Sequence, residues 1–282
     1  MKRIILLLAI LLVTFEFAFA QKDRTMNVAT YNLRLNTPND GINAWPNRKE
    51  EVKSLIRYHE FDLFGTQEGF IGQLNDLLEM EEFAYTGHGR EDGKDAGEHS
   101  AIFYRKDRFK LLGSGDFWLS ETPDVPGLGW DATCCNRICS WAKFRDLTSS
   151  AEFFFFSVHF DHEGVEARKE SGKLMVRKIN EIAGGFPVFC VGDLNSTPDT
   201  EQVATMKTLL NDSREVSLMP AYGPEGTFNG FKFDAALDKR IDYIFVSKQI
   251  EVLKYGVLTD SKNQRYPSDH QPVVVKARIK KK

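Results

Sequence analysis

Short apolar runs alternate with amphipathic segments along most of the chain. Residues 26–33 alternate between apolar and polar positions with a period of two, which predicts a strand. Residues 47–59 carry apolar side chains at helical spacing, and residues 61–67 form a second short apolar run. Because this succession of strand and helix patterns continues to the C-terminus, we predict an α/β protein.

The rest of the pattern predicts further strands and helices in a mixed order. The strands are expected at residues 100–104, 110–119, 139–146, 152–160, 187–191, 238–246, 252–258 and 272–279. The helices are expected at residues 70–80, 163–183 and 200–211, with Gly184 and Gly185 ending the second. Some strands follow each other directly and others are separated by helices. We therefore expect two mixed sheets packed face to face, with helices outside, in one domain.

The first twenty residues have the pattern of a secretory signal peptide. Lys2 and Arg3 precede an apolar run at residues 4–13, and Ala18-Phe19-Ala20 fits a small-x-small cleavage site before Gln21. An N-terminal membrane anchor is the alternative, but the apolar run is short for a membrane span. We expect residues 1–20 to be removed and residues 21–282 to form one periplasmic or secreted domain.

The composition argues against one class of protein, namely those that bind polyanions through a broad basic surface. The 282 residues are 42% hydrophobic and 27% charged, with a formal net charge of −3, which is ordinary for a soluble globular chain. A slightly acidic chain argues against affinity that rests on a wide cationic surface. It does not exclude a nuclease, because a bound metal ion can supply positive charge locally.

The four cysteines predict no zinc site. Cys134 and Cys135 are adjacent, and Cys139 and Cys190 lie in apolar strand-like runs. None of these spacings matches the pairs of ligands that hold structural zinc. We expect buried or free thiols, with at most one local bridge.

Polar side chains cluster where the strand-like runs end. In α/β proteins the loops at such strand ends converge on one rim, which is where sites are built. Taken singly, each of these residues has an ordinary explanation as a turn, cap or salt-bridge residue. Together they supply carboxylate and amide oxygens for a hard cation and two imidazoles that titrate near neutral pH. The residues are Asn32, Glu68, His159, Asp193, Asn195, Asp242, Asp269 and His270.

The segments around these residues resemble the ordered motifs of the endonuclease/exonuclease/phosphatase superfamily, and nearly the whole chain after residue 26 shares the likeness. The segments are A-T-Y-N-L-R, G-T-Q-E-G, S-V-H-F-D-H-E-G, V-G-D-L-N-S-T-P, R-I-D-Y-I-F-V-S and S-D-H-Q-P. Within the superfamily the chain is most similar to secreted bacterial members of the branch related to nocturnin and the deadenylases. The resemblance implies a four-layer α/β sandwich of the deoxyribonuclease I type, with two central sheets flanked by helices.

The resemblance also implies a division of roles. Glu68, Asn32 and Asp269 would hold the metal, with Mg²⁺ expected and Mn²⁺ as the alternative. The catalytic residues would be His159, Asp193, Asn195, Asp242 and His270. Asp193 would align or deprotonate the attacking water, and Asn195 would also hold a phosphate oxygen. Asp242 would orient His270, whose imidazolium would stabilise the charge on phosphorus, and His159 would face the phosphate.

Two further residues are weaker candidates for substrate binding. Arg137 precedes a strand and can grip a phosphate bidentately, although an ordinary surface charge would have the same sequence context. Trp130 can line a substrate groove by stacking. Glu98 and His99 enter a strand from a Gly-rich loop and are further candidates for the site, whereas Trp118 is expected to be structural.

These features favour a Mg²⁺-dependent phosphodiesterase that acts on nucleic acid or nucleotides, similar to a 3'-5' RNA exonuclease. A phospholipid or inositol-phosphate hydrolase of the sphingomyelinase type is the first alternative, so the partner is expected to be a phosphoester of one of these kinds. A non-catalytic binding protein on the same fold is the second, and no motif is damaged as that alternative would require. A monomer without a stable protein partner is expected.

Overall fold

Two six-stranded sheets packed against each other form the centre of the molecule. A computed structural model describes residues 24–280, so the proposed signal peptide lies outside the described residues. Both sheets are mixed, and each contains a single parallel pair among antiparallel ones. The predicted sandwich of two packed mixed sheets is confirmed.

The first sheet has the spatial order β11-β12-β1-β2-β4-β3. Its strands β1 and β2 run parallel, with Asn32 paired to Gln67 at their common end. The strands are β1 (Met26–Asn32), β2 (Leu63–Gln67), β3 (Phe83–Thr86), β4 (Ile102–Arg105), β11 (Ile250–Val257) and β12 (Val273–Ile279).

The second sheet has the spatial order β5-β6-β7-β8-β10-β9. Its parallel pair is β7 and β8, which are connected through a long helix, as a parallel crossover requires. The strands are β5 (Phe109–Trp118), β6 (Ile138–Asp146), β7 (Glu152–His159), β8 (Val188–Asp193), β9 (Asn211–Asp212) and β10 (Asp242–Val246).

Helices cover the outer faces of both sheets. The long helix ends where the sequence predicts, because Gly184 adopts the left-handed conformation (φ 52°) that caps it. The helices are α1 (Lys49–Tyr58), α2 (Ile71–Leu77), α3 (Val165–Ala183), α4 (Glu201–Met206) and α5 (Ser213–Val216), with 3₁₀ turns at Pro38–Asn43 and Trp45–Asn47. Within residues 24–280, none of the helices has both the length and the apolar character needed to cross a bilayer.

Three apolar clusters account for the layering. The central cluster lies between the sheets and includes Val28 of β1 together with Phe155 of β7 and Phe189 of β8. A second cluster lies on the outer face of the first sheet with α1 and α2, and a third packs α3 and α4 on the second sheet. This explains why the run at 152–160 is so apolar, since β7 is covered on both faces.

The hydrophobic pattern of the sequence did not predict the shortest strands and helices. Strands β3 and β9 and helix α5 were not predicted, and α4 is about half as long as the predicted helix at residues 200–211. Elements of two to six residues show too few periods of hydrophobic repetition for the pattern to identify them. The other strands and helices agree with their predicted positions to within a few residues at each end.

The two sheets approach closely at Gly65, the middle residue of β2. A Cβ atom on Gly65 would lie 2.5 Å from Val191 Cγ2 and 2.6 Å from Ser157 Oγ, both on the second sheet. The Ser157 hydroxyl in turn donates to the carbonyl of Thr66 at 3.4 Å and accepts from the Gln67 amide at 3.3 Å. Gly65 therefore permits an approach between sheets that a larger residue would prevent.

Gly65→Ala is expected to destabilise the fold by about 1–3 kcal/mol, because the added methyl overpacks a buried interface. Gly72→Ala is the matched control: its Cβ meets nothing within 4 Å, and alanine is the better helix former, so it should be neutral or slightly stabilising. Urea unfolding of the two variants measures the difference. Equal stabilities would show that the sheets can separate without cost.

Candidate active site

Strand register brings three of the predicted residues side by side on the second sheet. His159 ends β7 and is paired with Asp193 at the end of β8. Asp193 is in turn paired with Asp242 at the start of the antiparallel β10. Residues from three separate stretches of sequence therefore lie in one row at one edge of the sheet.

The buried amide of Asn32 joins this row to the first sheet. Asn32 Nδ2 donates to Glu68 Oε1 at 2.9 Å and to Asp193 Oδ2 at 3.1 Å. Glu68 comes directly after β2 and has a left-handed backbone (φ 62°), and its second oxygen accepts from the Leu35 amide at 3.1 Å. A glutamate in this conformation is held there by its surroundings, as is common at functional sites.

His270 and Asp242 form a buried pair. His270 Nδ1 lies 2.9 Å from Asp242 Oδ2, which also accepts a hydrogen bond from Thr227 Oγ1 at 2.6 Å. His270 Nε2 faces Asp193 Oδ2 at 3.8 Å. Burial opposes the charged form, but the carboxylates of Asp242 and Asp193 outweigh it and hold the pKa of His270 well above its ordinary value. The second nitrogen of a cationic imidazole is thus directed into the pocket.

His159 has the opposite electrostatic environment. Burial and the nearby Arg137 and Arg90 guanidinium groups hold its pKa well below the ordinary value. Asn195 Nδ2 lies 3.1 Å from His159 Nε2 and donates to the Phe160 carbonyl at 3.1 Å. The surroundings of the two histidines therefore shift their pKa values in opposite directions, favouring the neutral form of His159 and the protonated form of His270.

The carboxylates are crowded enough to fit a divalent cation. Ligand atoms of Glu68, His159 and Asp193 lie within 4.8 Å of one another, and the same holds for Asp193, Asp242 and His270. Burial and the neighbouring Asp242 raise the pKa of Asp193. In the second group His270 is engaged by Asp242, so the carboxylates of Glu68 and Asp193 in the first group are the better oxygen donors for a hard cation.

Asp269 lies at the edge of this cluster. It belongs to neither group of close ligand atoms. Arg34 connects it to Glu68, with Nε 3.9 Å from Asp269 Oδ2 and Nη1 3.8 Å from Glu68 Oε2. Arg34 is itself held by Asp40 through two hydrogen bonds of 3.0 Å. Arg34 was not among the predicted site residues, although it lies two residues after Asn32 in the same motif.

A cationic wall faces the carboxylates. Arg137 is buried, with Nη2 2.7 Å from His162 Nδ1 and Nε 3.4 Å from Asp161 Oδ2. Its third nitrogen, Nη1, is buried without a hydrogen-bond partner. Arg90 donates to Glu98 at 2.6 Å, and Glu98 Oε2 lies 3.7 Å from His159 Nδ1. Arg137 lines the pocket and has one nitrogen free of protein partners, which suits its guanidinium group to an anionic ligand.

These groups line one open pocket of about 490 Å³. Most of the predicted residues contribute to its surface, and Asn32 and Asp242 lie beneath it, bonded to residues that line it. The predicted residues on the lining are Glu68, Arg137, His159, Asp193, Asn195, Asp269 and His270.

Several placements differ from the sequence-based expectations. Trp130 is not part of the pocket lining, because it packs against the apolar cluster under α3. His99 turns away and lies 3.2 Å from the Gly69 carbonyl, whereas Glu98 lines the pocket. The lining also includes residues that carried no sequence signal: Arg90, Phe228 and the bonded pair Cys134 and Cys135.

A two-sheet α/β sandwich with this constellation at one end of the strands defines a phosphoester hydrolase. The profile described as the endonuclease/exonuclease/phosphatase family matches residues 29–270, and the chain belongs to that family. Its members are phosphoester hydrolases that generally depend on a divalent metal ion. The family predicted from the motifs is therefore confirmed.

Solved structures agree with this assignment. An endonuclease/exonuclease/phosphatase family protein from Bacteroides thetaiotaomicron is 44% identical, with a TM-score of 0.86, over 90% of this chain and 97% of that chain. A mannosyl-6-phosphatase from Bacteroides thetaiotaomicron VPI-5482 is also 44% identical, with a TM-score of 0.85, over 89% and 99%. The human nocturnin catalytic domain is 20% identical, with a TM-score of 0.71, over 91% and 94%, which shows a common fold.

Asn32→Asp tests the joint between the sheets. The change replaces a donor amide with a third carboxylate beside Glu68 and Asp193, so both hydrogen bonds are lost. We expect a loss of about 2–4 kcal/mol in stability when a chelator is present, and a smaller loss when Mg²⁺ is added. Asn39→Asp makes the same change on an exposed residue and should alter little. Thermal unfolding with and without Mg²⁺ measures both, and equal stabilities of the two variants would contradict this account.

Proposed function

We propose that the protein is a Mg²⁺-dependent phosphatase that removes a phosphoryl group from a small phosphorylated sugar. One observation carries the proposal: carboxylates suited to a cation and the guanidinium-bearing Arg137, one of whose nitrogens has no hydrogen-bond partner, line a single pocket. The similarity to a mannosyl-6-phosphatase at 44% identity over nearly the full length of both chains supports the choice of a sugar.

The dimensions of the pocket support a small substrate. A volume of about 490 Å³ lies in the range of sites that enclose small ligands. The formal net charge of −3 offers little general attraction for a long polyanion. The RNA-exonuclease-like activity favoured by the sequence motifs stays a prediction, to be tested against the sugar phosphate in the same assay.

Glu68 and Asp193, with Asn32 beside them, are the residues that we propose to hold the cation. Their oxygens are the ligand type that Mg²⁺ prefers, and Mn²⁺ accepts the same set. A bound divalent cation would neutralise phosphate oxygens and favour attack on phosphorus. Asp269 is proposed to assist from the edge of the cluster, through the Arg34 that it shares with Glu68.

The other side chains are proposed to bind phosphate and move protons. Asp193 orients the attacking water, because its carboxylate lies between the two histidines. His270, held by Asp242, donates a hydrogen bond to a phosphoryl oxygen as negative charge develops. Neutral His159 and the amide of Asn195 bind further phosphate oxygens. Arg137 grips the phosphate from the opposite wall.

Export and oligomeric state stay proposals. The signal-peptide pattern at residues 1–20 would place this activity in the periplasm or outside the cell. The residues that we propose for metal binding and catalysis meet in or directly beneath one pocket, so we propose that a monomer is sufficient for activity.

Hydrolysis of a sugar phosphate should disappear with a chelator and return with Mg²⁺, and Glu68→Gln should lower kcat/KM by about 100-fold or more. Glu79→Gln, an exposed glutamate paired with Lys53, is the matched control. Phosphate release from mannose 6-phosphate, an RNA oligonucleotide, inositol phosphates and phospholipid vesicles would be measured for all three proteins. Equal turnover by wild type and Glu68→Gln would contradict the site, and preference for RNA or lipid would contradict the sugar.

Arg137→Lys is expected to raise KM for the phosphorylated substrate about tenfold, because lysine keeps the charge but loses the planar fork that matches phosphate. Arg145→Lys makes the same change on an exposed residue of β6, the strand that Arg137 directly precedes, and should leave KM unchanged. Steady-state kinetics with Mg²⁺ separate KM from kcat. An unchanged KM for Arg137→Lys would show that this guanidinium does not contact the phosphate.

A further inference from the structure

The loop between β5 and β6 brings a disulfide between adjacent residues to the mouth of the pocket. Cys134 and Cys135 are bonded to each other and both line the pocket. Cys134 is exposed and Cys135 is half-buried, so the bond is not part of the core. The other two cysteines are buried as free thiols, and the disulfide is therefore a local feature of the site.

This bond presents an apolar surface among charged neighbours. A disulfide has no hydrogen to donate and its sulfur atoms are weak, polarisable acceptors. Arg90, Arg137 and His162 line the pocket close by. Phe228 provides a second apolar surface on the lining, 39% exposed, with its ring against that of His270 at 5.1 Å. The pocket thus combines a charged centre with an apolar rim.

The loop is fixed on both sides of the disulfide. Thr133 Oγ1 donates to the Glu163 carboxylate, beside His162. Asn136 Nδ2 donates to Glu91 Oε2 at 3.0 Å, beside Arg90. The bond between neighbouring residues removes further backbone freedom at this point. The surface is therefore held in place between two loops that carry charged residues of the pocket.

The position of the disulfide relates it to the phosphate. Arg137, which has the unpartnered nitrogen, follows Cys135 by two residues on the same short segment. A phosphate held there would place the group attached to it near the two sulfur atoms. One face of a pyranose ring consists largely of C–H groups and is apolar, while its hydroxyl groups point outward from the ring edge. Such a face gains free energy when it covers an apolar surface.

We propose that the Cys134–Cys135 disulfide is a platform on which the ring of a phosphorylated sugar packs, so that the bond selects ring-bearing over acyclic phosphoesters. This inference rests on the proposed function, since it names what recognises the sugar in that same site. The residues act in substrate selection and take no part in the chemical step.

The experiment compares two substrates that differ in the ring. Mannose 6-phosphate and the acyclic glycerol 3-phosphate would be hydrolysed by wild type, by the double variant Cys134→Ser/Cys135→Ser, and by Val125→Ser. The last removes an exposed apolar side chain from the same loop, outside the pocket. The ratio of kcat/KM values for the two substrates should fall about tenfold in the double variant, mainly through KM for the sugar. The ratio should not change in Val125→Ser.

Reduction of wild type provides a second measurement that needs no mutation. A phosphine reductant should open the Cys134–Cys135 bond, and titration would detect the two thiols formed, because the other cysteines of the described residues are already free. The ratio of kcat/KM for mannose 6-phosphate to kcat/KM for glycerol 3-phosphate should fall after reduction, because the two separated thiols no longer form one fixed apolar surface.

Two outcomes distinguish the proposals from each other. An enzyme that hydrolyses the sugar phosphate with an unchanged ratio, both in the double variant and after reduction, would overturn the platform alone. A wild-type protein that hydrolyses neither substrate would overturn the proposed function and the platform with it.

Discussion

The buried amide of Asn32 links the two sheets at the centre of the candidate site. The two hydrogens of Asn32 Nδ2 are shared between Glu68, on the first sheet, and Asp193, on the second. Two carboxylates at such a distance would repel each other, and a neutral double donor between them reduces that cost. This amide links the same two sheets that approach too closely at Gly65 to admit a Cβ atom. Core packing and the geometry of the site are thus one constraint rather than two.

Two cationic side chains, His270 and Arg34, each lie between a pair of carboxylates near Asn32. His270 lies between Asp193 and Asp242, and Arg34 lies between Glu68 and Asp269. Each cation offsets part of the free energy needed to collect buried carboxylates. These cations do not offset the whole cost, because burial and repulsion from Asp242 still raise the pKa of Asp193. A divalent cation would offset more of it, which is the physical reason why the metal dependence of the family fits this chain.

The sequence identified residues whose place follows from strand ends, and it could not identify those placed by loops. Asn32, His159 and Asp193 each end a strand, so their side chains meet as soon as the strands pair in the observed register. Thr227 and Phe228 lie in a long irregular segment, and no periodicity indicates which of its side chains turn toward Asp242 or the pocket. Pairing across the sheets is equally invisible in a single sequence, because it depends on how two separate surfaces pack.

Trp130 is a predicted site residue that the structure places away from the pocket. Trp130 was chosen because aromatic side chains stack on substrates, yet the same apolar surface is satisfied by the cluster under α3. A half-buried tryptophan next to a core gains more from that core than from an open pocket. Residue type therefore predicts placement at the pocket better for carboxylates, which need polar partners when buried, than for aromatic side chains, which pack in many places.

The division between strand ends and loops also separates reaction from specificity. In the proposed function the side chains at the strand ends would surround the phosphorus centre, and they sit on a fold shared with proteins as distant as the nocturnin catalytic domain. The group attached to that phosphate would meet the loops, among them the segment between β5 and β6 that carries Arg137 and the Cys134–Cys135 disulfide. Loops can change without disturbing the register of β7, β8 and β10. One fold can therefore keep the same chemistry while the group attached to the phosphate differs. The loops at the rim of the pocket, rather than the fold, determine which substrate is accepted.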